Sequence, residues 1–193
     1  MNFESGSIYH VYNRGNNKQV IFFTRANYLF FLNKVRNEIT PIADIISYCL
    51  MPNHYHLMIQ AKELSDDAKH PLSRKLGTLQ SSYTRAINNQ ENRTGSLFQQ
   101  KTKAVEIYSL YDHFDKNDYL TTCFHYIHQN PLKAGLVMRM EDWEYSSFRD
   151  YAGLRKDTLI NMQLAREVLD IDWENFSKDS YCVIEENKIQ SIL

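Results

Sequence analysis

Residues 44–60, DIISYCLMPNHYHLMIQ, read as a strand, a tight turn and a second strand. Asp44 to Leu50 is rich in β-branched and aromatic residues, Met51-Pro52-Asn53 is a turn signal, and His54 to Gln60 resumes the strand pattern. Working outward towards the N-terminus, Ser7 to Asn13 (SIYHVYN) reads as another strand, stopped by Arg14-Gly15-Asn16-Asn17. Thr24 is placed to N-cap a helix over residues 25–39, where Tyr28, Leu29, Leu32, Val35, Arg36 and Ile39 recur at helical spacing before Pro41. Towards the C-terminus, residues 62–71 are polar and read as a loop. A second helix runs from Pro71 or Leu72 to about Asn88, with Leu72, Leu76, Leu79 and Tyr83 on one face. Lys103 to Ile107 reads as a fourth strand and Tyr119 to Gln129 as a third helix, ended by Pro131 because a proline disfavours helical dihedrals at Asn130. The order βαββαβ followed by a helix predicts an α+β fold: a ferredoxin-like antiparallel sheet with helices on one face. Residues 1–150 form the expected main domain, and residues 151–193 a C-terminal helical extension or tail.

With 193 residues, 43% of them hydrophobic, the length fits one domain with its own core. No apolar run is long enough to cross a bilayer, and the start, MNFESGSIYH, has neither a basic nor an apolar leader region. Cys49, Cys123 and Cys182 are few, odd in number and far apart, which suggests reduced thiols in a cytosol, not a disulfide framework. The net charge of −1 conceals a gradient: residues 1–68 are neutral, 69–139 carry ten Lys/Arg against five Asp/Glu, and 140–193 carry six against twelve. A basic middle suits contact with nucleic acid; a solvated surface with local fluctuations accounts for the charge equally well.

His54-Tyr55-His56 is the most informative triplet. In a strand, residues i and i+2 point to the same face, roughly 6.5–7 Å apart. Two imidazoles at that spacing suit one divalent ion on the exposed face of a central strand, while Tyr55 turns to the opposite face and packs inward. A bare H-x-H also arises by chance, as two unrelated histidines. Tyr126 and Asn130, four apart on a helix, share a face and suit one site as nucleophile and third metal ligand. That spacing is common in a chain with thirteen tyrosines. His125 and His128 face away from Tyr126 and read as structural or phosphate-contacting. Tyr12, Tyr48, Tyr108 and Tyr145 read as core or surface aromatics.

Four stretches, YHVYNRGNNKQVIF (9–22), MPNHYHLMI (51–59), GSLFQQKTKAVEI (95–107) and YIHQNPLKAGLV (126–137), together resemble the single-tyrosine, HUH-type transposases, and within them the REP-associated tyrosine transposases. The resemblance runs in order from about residue 7 to 150. Where that family often carries G-H-L-W-Q, this chain has Gly95-Ser96-Leu97-Phe98-Gln99. The resemblance implies that His54 and His56 are the metal-binding pair, Tyr126 the catalytic tyrosine and Asn130 the polar third ligand.

It also implies a bacterial, cytoplasmic, nucleoid-associated enzyme, monomer or homodimer, with no membrane partner. Such an enzyme cleaves and rejoins single-stranded or hairpin DNA through a 5′-phosphotyrosine, with Mg2+ or Mn2+ as cofactor. Arg14, Lys18, Arg74, Lys75, Arg85, Lys101, Lys103 and Lys133 are the candidate phosphate contacts, Arg14 foremost because it stands beside Gly15 at a strand end. The alternatives are a catalytically idle DNA-binding regulator of the same fold, a metal-binding hydrolase without covalent catalysis, and a relaxase or rolling-circle replication initiator. The presence of all four site residues argues against the first; covalent attachment of DNA at Tyr126 separates the second. In the third, catalytic tyrosines and motif order usually differ.

Overall fold

The computed structural model describes residues 2–63, 71–108, 117–156, 159–182 and 184, so most of the polar loop expected at 62–71 lies outside the described residues. Strands β1 (Ile8–Arg14), β2 (Ala43–Met51), β3 (His54–Ala61) and β4 (Lys103–Tyr108) form one antiparallel sheet in the order β2-β3-β1-β4. Helices α1 (Arg25–Glu38) and α2 (Leu72–Gln90) pack on one face of it, as a ferredoxin-like arrangement requires. Among the described residues, no helix is long and apolar enough to cross a membrane.

The α1–α2 face is built from Tyr9, Val11, Tyr48, Leu50, Tyr55, Leu57 and Ile59 of the sheet. α2 meets it with Leu72, Leu76, Leu79, Tyr83 and Ile87, at the expected spacing. α1 is rotated from the expected register: Tyr28, Phe31, Val35 and the following Ile39 are buried, while Leu29 is exposed. Its start is set by Asn27, whose Oδ1 accepts from the backbone N–H of Phe23 and of Thr24, both at 3.0 Å. A bulge between Ile45 and Ser47 resets the alternation of β2, so that Ile45, Tyr48 and Leu50 all face α1 and α2.

The opposite face is also covered. α3 (Asn117–Lys133) lies across it, with Leu120, Cys123, Phe124 and Ile127 buried against Ile8, Met58 and Ile107. Full burial of each large apolar side chain in that stripe contributes roughly 1.5–3 kcal/mol. The expected stop at Pro131 is overrun, since the helix continues to Lys133. One turn from the end, a proline forfeits a single ladder bond, and Asn130 Nδ2 donates to the Tyr126 carbonyl at 2.8 Å beside the break.

The segment after α3 completes this second core. Helices α4 (Phe148–Tyr151), α5 (Met162–Val168) and α6 (Phe176–Asp179) contribute Phe148, Ala165 and Phe176, and Leu169 joins them. Ile160 bridges Ile45 at the edge of β2, and Gln129 Nε2 donates to the carbonyls of Ser180 and Cys182, both at 2.8 Å. All three cysteines are free thiols: Cys49 and Cys123 are buried and Cys182 is exposed.

His128 is fully buried with Nε2 2.7 Å from Ser147 Oγ, and His125 packs beside Phe176. Both point away from Tyr126's surroundings and are structural. Burial holds His125 down to about 4 and His128 well below its ordinary value. Between pH 6.5 and 4 the unfolded chain therefore binds protons that the folded chain refuses, so stability is present above pH 6.5 and drains away below it. Urea titrations across this range should show that loss, and His125→Phe should make it shallower by up to one proton. An unaltered slope would remove His125 from the cause.

Candidate functional site

The sheet order places β1 and β3 side by side at its centre, with Tyr12 opposite His56 and Arg14 opposite His54. Alternation then puts His10, Tyr12, Arg14, His54 and His56 on the face that α3 covers. That face is central, as expected, but not open: His56 is 3% exposed. Tyr55 points the other way and is buried beneath α1 and α2.

α3 brings Tyr126 over the histidine pair, its ring centroid 5.6 Å from that of His56, while the His54 and His56 rings stand 5.0 Å apart. The Asn130 side chain interacts with both the His54 ring and the Tyr126 phenol. The four expected residues thus converge. Beside them opens a cavity of about 330 Å3, lined by Tyr12, Asn13, His54, His56 and Tyr126 and by the polar rim of Arg14, Gln99, Lys101 and Lys103.

Burial dominates the electrostatics. It pushes His54 down to about 4, against the opposing hydrogen bond of Asn130, and pushes His56 well below its ordinary value. Both rings are neutral near pH 7, the state in which imidazole offers a lone pair. Asn53 Oδ1 can only accept, so His54 donates to it from Nδ1 at 2.6 Å and keeps Nε2 bare. His56 Nδ1 faces His10 Nε2 at 2.8 Å, and His56 Nε2 is buried with no hydrogen-bond partner among the described residues. The Tyr126 phenol is raised by burial, opposed by the Asn130 hydrogen bond and by the charge of Arg14.

Among the described residues no group of three or more His, Cys, Asp or Glu is placed to hold a metal ion. The candidate donor set here is two imidazoles and the amide of Asn130. A buried Nε2 without a partner among the described residues, beside a second bare ring nitrogen and an amide, fits a divalent ion that accepts both nitrogen and oxygen, Mn2+ more readily than the harder Mg2+.

The basic candidates divide. Arg14, Lys101 and Lys103 stand on the cavity rim, and Lys18 is exposed in the turn whose backbone holds Asn53, through Asn53 Nδ2 donating to the Lys18 carbonyl at 3.2 Å. Lys133 is exposed at the end of α3. Arg74, Lys75 and Arg85 lie on α2, across the sheet from the cavity, and Lys75 is paired with Glu38 at 2.9 Å. The site also contains residues that sequence reading missed: His10, Tyr12, Asn13 and Gln99. The signal for the first two was the period-2 alternation of β1, which puts them on the face of Arg14. Asn13 Nδ2 donates to the Gln99 carbonyl and to Thr102 Oγ1, both at 3.1 Å, which ties the lysine-bearing segment to β1.

Gly15 closes β1 where the chain doubles back. A Cβ there would meet the Gln19 carbonyl oxygen at 2.2 Å, and Gly15 N–H donates to the Asn53 carbonyl at 2.8 Å. Gly15→Ala should therefore displace the 16–19 turn and the residue that orients His54, at a cost of about 1–3 kcal/mol. Thermal unfolding checks this; an unchanged midpoint would mean the turn relaxes freely.

Fold and site together define a ferredoxin-like sheet with a histidine pair and a helical tyrosine facing one basic cavity, and an asparagine in contact with both. No family model matches the chain. It is 27% identical over 115 residues to a protein of Haemophilus influenzae described as "Putative REP-associated tyrosine transposase", a match covering 54% of this chain and 58% of that relative. The sequence relationship, at low identity, is thus to a REP-associated tyrosine transposase, of which the chain spans little more than half. The fold is shared with a solved structure described as "Structure of the REP associates tyrosine transposase bound to a REP hairpin", at a TM-score of 0.59 and 16% identity, over 83% of this chain and 94% of that one.

Proposed function

We propose that this protein is a metal-dependent DNA strand transferase that cuts and rejoins single-stranded or hairpin DNA through Tyr126, with residues 1–150 as the catalytic domain and 151–193 as an extension. The observation that carries this reading is the convergence of Tyr126, His54 and His56 at one basic cavity, with the Asn130 side chain in contact with both Tyr126 and His54. The described similarity to a tyrosine transposase and the shared fold with one bound to a hairpin support it.

Arg14, Lys101 and Lys103 seat the DNA backbone, and Lys18 and Lys133 extend the phosphate contacts outward, whereas Arg74, Lys75 and Arg85, across the sheet, take no part at this cavity. Tyr126 Oη attacks the scissile phosphorus in line; the Oη–P bond forms as the P–O3′ bond breaks. The phenolic proton passes through solvent to the departing 3′-oxygen, so a 3′-hydroxyl and a 5′-phosphotyrosine result. Asn130 and Arg14 favour the charge that grows on Oη, offsetting its burial. His54, His56 and Asn130 would hold Mg2+ or Mn2+, which would supply Lewis-acid stabilisation of the charge that builds on the phosphate. The covalent link conserves the phosphodiester energy, so the 3′-hydroxyl of another strand reverses the step without ATP.

Labelled hairpin DNA incubated with the protein and Mn2+ should yield a band that survives denaturing electrophoresis and disappears on protease treatment. His56→Ala should lose both Mn2+ binding by calorimetry and that band. DNA binding with no adduct at any Mn2+ concentration would assign the chain to idle DNA-binding relatives; nicking without an adduct would assign it to the hydrolases.

A further inference from the structure

His54 and His56 are oriented by partners of different kinds. The partner of His54 is an amide oxygen, which fixes the ring proton on Nδ1. The partner of His56 is a second imidazole. His10, fully buried on β1, stacks on His56 with centroids 5.1 Å apart and places Nε2 2.8 Å from His56 Nδ1. Two neutral imidazoles in that contact share one proton between the facing nitrogens, and the pair has two orderings.

With the proton on His10, His56 Nδ1 accepts and the other ring proton of His56 sits on Nε2. That atom is buried with no acceptor among the described residues, and its N–H dipole would add to the positive field of Arg14, Lys101 and Lys103 around the cavity. With the proton on His56 Nδ1, His10 Nε2 accepts, the ring proton of His10 itself sits on its Nδ1, and His56 Nε2 presents a lone pair to the same field. The second ordering satisfies the N–H and turns the bare nitrogen where the field favours it.

We infer that His10 is a positioning residue that holds His56 as its Nδ1–H tautomer, with Nε2 bare towards the cavity. This rests on the metal-site reading above, in which His56 serves through Nε2. His10 touches neither substrate nor metal; it converts a ring that would otherwise divide between tautomers into one that is always ready to ligate. The opposite tautomer would make His56 a hydrogen-bond donor to phosphate instead.

The test is 15N spectroscopy of histidine-labelled, metal-free full-length protein, followed by Mn2+ calorimetry on the same samples. Wild-type His56 should show a protonated Nδ1 and a bare Nε2. His10→Phe should mix the two tautomers and weaken Mn2+ binding about 10–100-fold. His10→Gln, whose Oε1 accepts where Nε2 did, should restore both, a rescue that a purely space-filling role would not produce. Should His10→Phe fail to fold, His10→Asn, whose shorter amide does not reach Nδ1, replaces it. A wild-type His56 protonated on Nε2 overturns the inference, as does a His10→Phe protein with unchanged tautomer and affinity. If the wild type binds no Mn2+ yet shows the Nδ1–H tautomer, mixed by His10→Phe, the role of His10 stands and the metal reading falls.

Discussion

Tyr126→Phe should abolish the covalent DNA adduct and lower strand cleavage by at least about 10³-fold, while hairpin binding persists. The substitution removes one oxygen from a half-buried ring on α3, and with it the contact to Asn130, worth about 0.5–1.5 kcal/mol of stability. The apolar stripe of Leu120, Cys123, Phe124 and Ile127 that seats the helix is untouched. Tyr12 supplies the sharpest control, because it lines the same cavity, with its ring 5.7 Å from that of His56. Tyr12→Phe should keep the adduct. Tyr83→Phe, which removes a buried hydroxyl donating to the Ile21 carbonyl at 2.8 Å, should cost stability and leave the chemistry alone. An adduct that survives Tyr126→Phe and disappears in Tyr12→Phe would move the nucleophile from α3 to β1.

Arg155→Ala should destabilise the fold by about 3–5 kcal/mol, read from urea denaturation. Arg155 forks onto Asp150, with Nε to Oδ1 at 2.9 Å and Nη2 to Oδ2 at 2.6 Å, and the Asp150 side chain is 3% exposed. The same guanidinium donates to the carbonyls of Glu144 and Ser146, both at 2.8 Å, and to the Tyr48 hydroxyl at 2.6 Å. It therefore pins the segment after α3 to β2, and its loss leaves a carboxylate buried without its counter-charge. Arg155→Lys should recover little, since an ammonium cannot form the planar fork. A loss below about 1 kcal/mol in Arg155→Ala would mean that the apolar contacts of Phe148 and Phe176 hold the segment unaided. Because that segment underlies α3, the variant should also weaken metal-dependent cleavage.

Much of the architecture was legible along the chain. Strand boundaries came within one or two residues, because β-branched and aromatic runs are bounded by strong turn signals at Arg14-Gly15 and Met51-Pro52-Asn53. The pairing of His54 with His56, and of Tyr126 with Asn130, followed from the two periods of 2.0 and 3.6 residues. The misreadings share a cause. Leu29 looks like a core position by its helical spacing, yet α1 turns Phe31 inward instead, because the aromatic layer of Phe22, Tyr55 and Tyr83 sets the register. Pro131 looks like a stop, yet costs little so near a helix end. The C-terminal helical extension expected after residue 150 does carry helices, but only the structure shows that its described residues fill the second core.

By itself, then, the sequence determined the order of elements, the hairpin at its centre, and which side chains share a face of their own strand or helix. These are local matters, decided within a few residues by backbone periodicity and turn chemistry. Only the tertiary structure decided that α3 lies over the face of β3 that carries the histidines, that His10 reaches His56, and that Arg14, Lys101 and Lys103 stand at the cavity while Arg74 and Arg85 stand across the sheet from it. Those juxtapositions join residues far apart in the chain, 46 positions in the case of His10 and His56, and they depend on strand order and on which layer buries which stripe. Both are settled by the whole core at once, through apolar area that no single segment can bury alone.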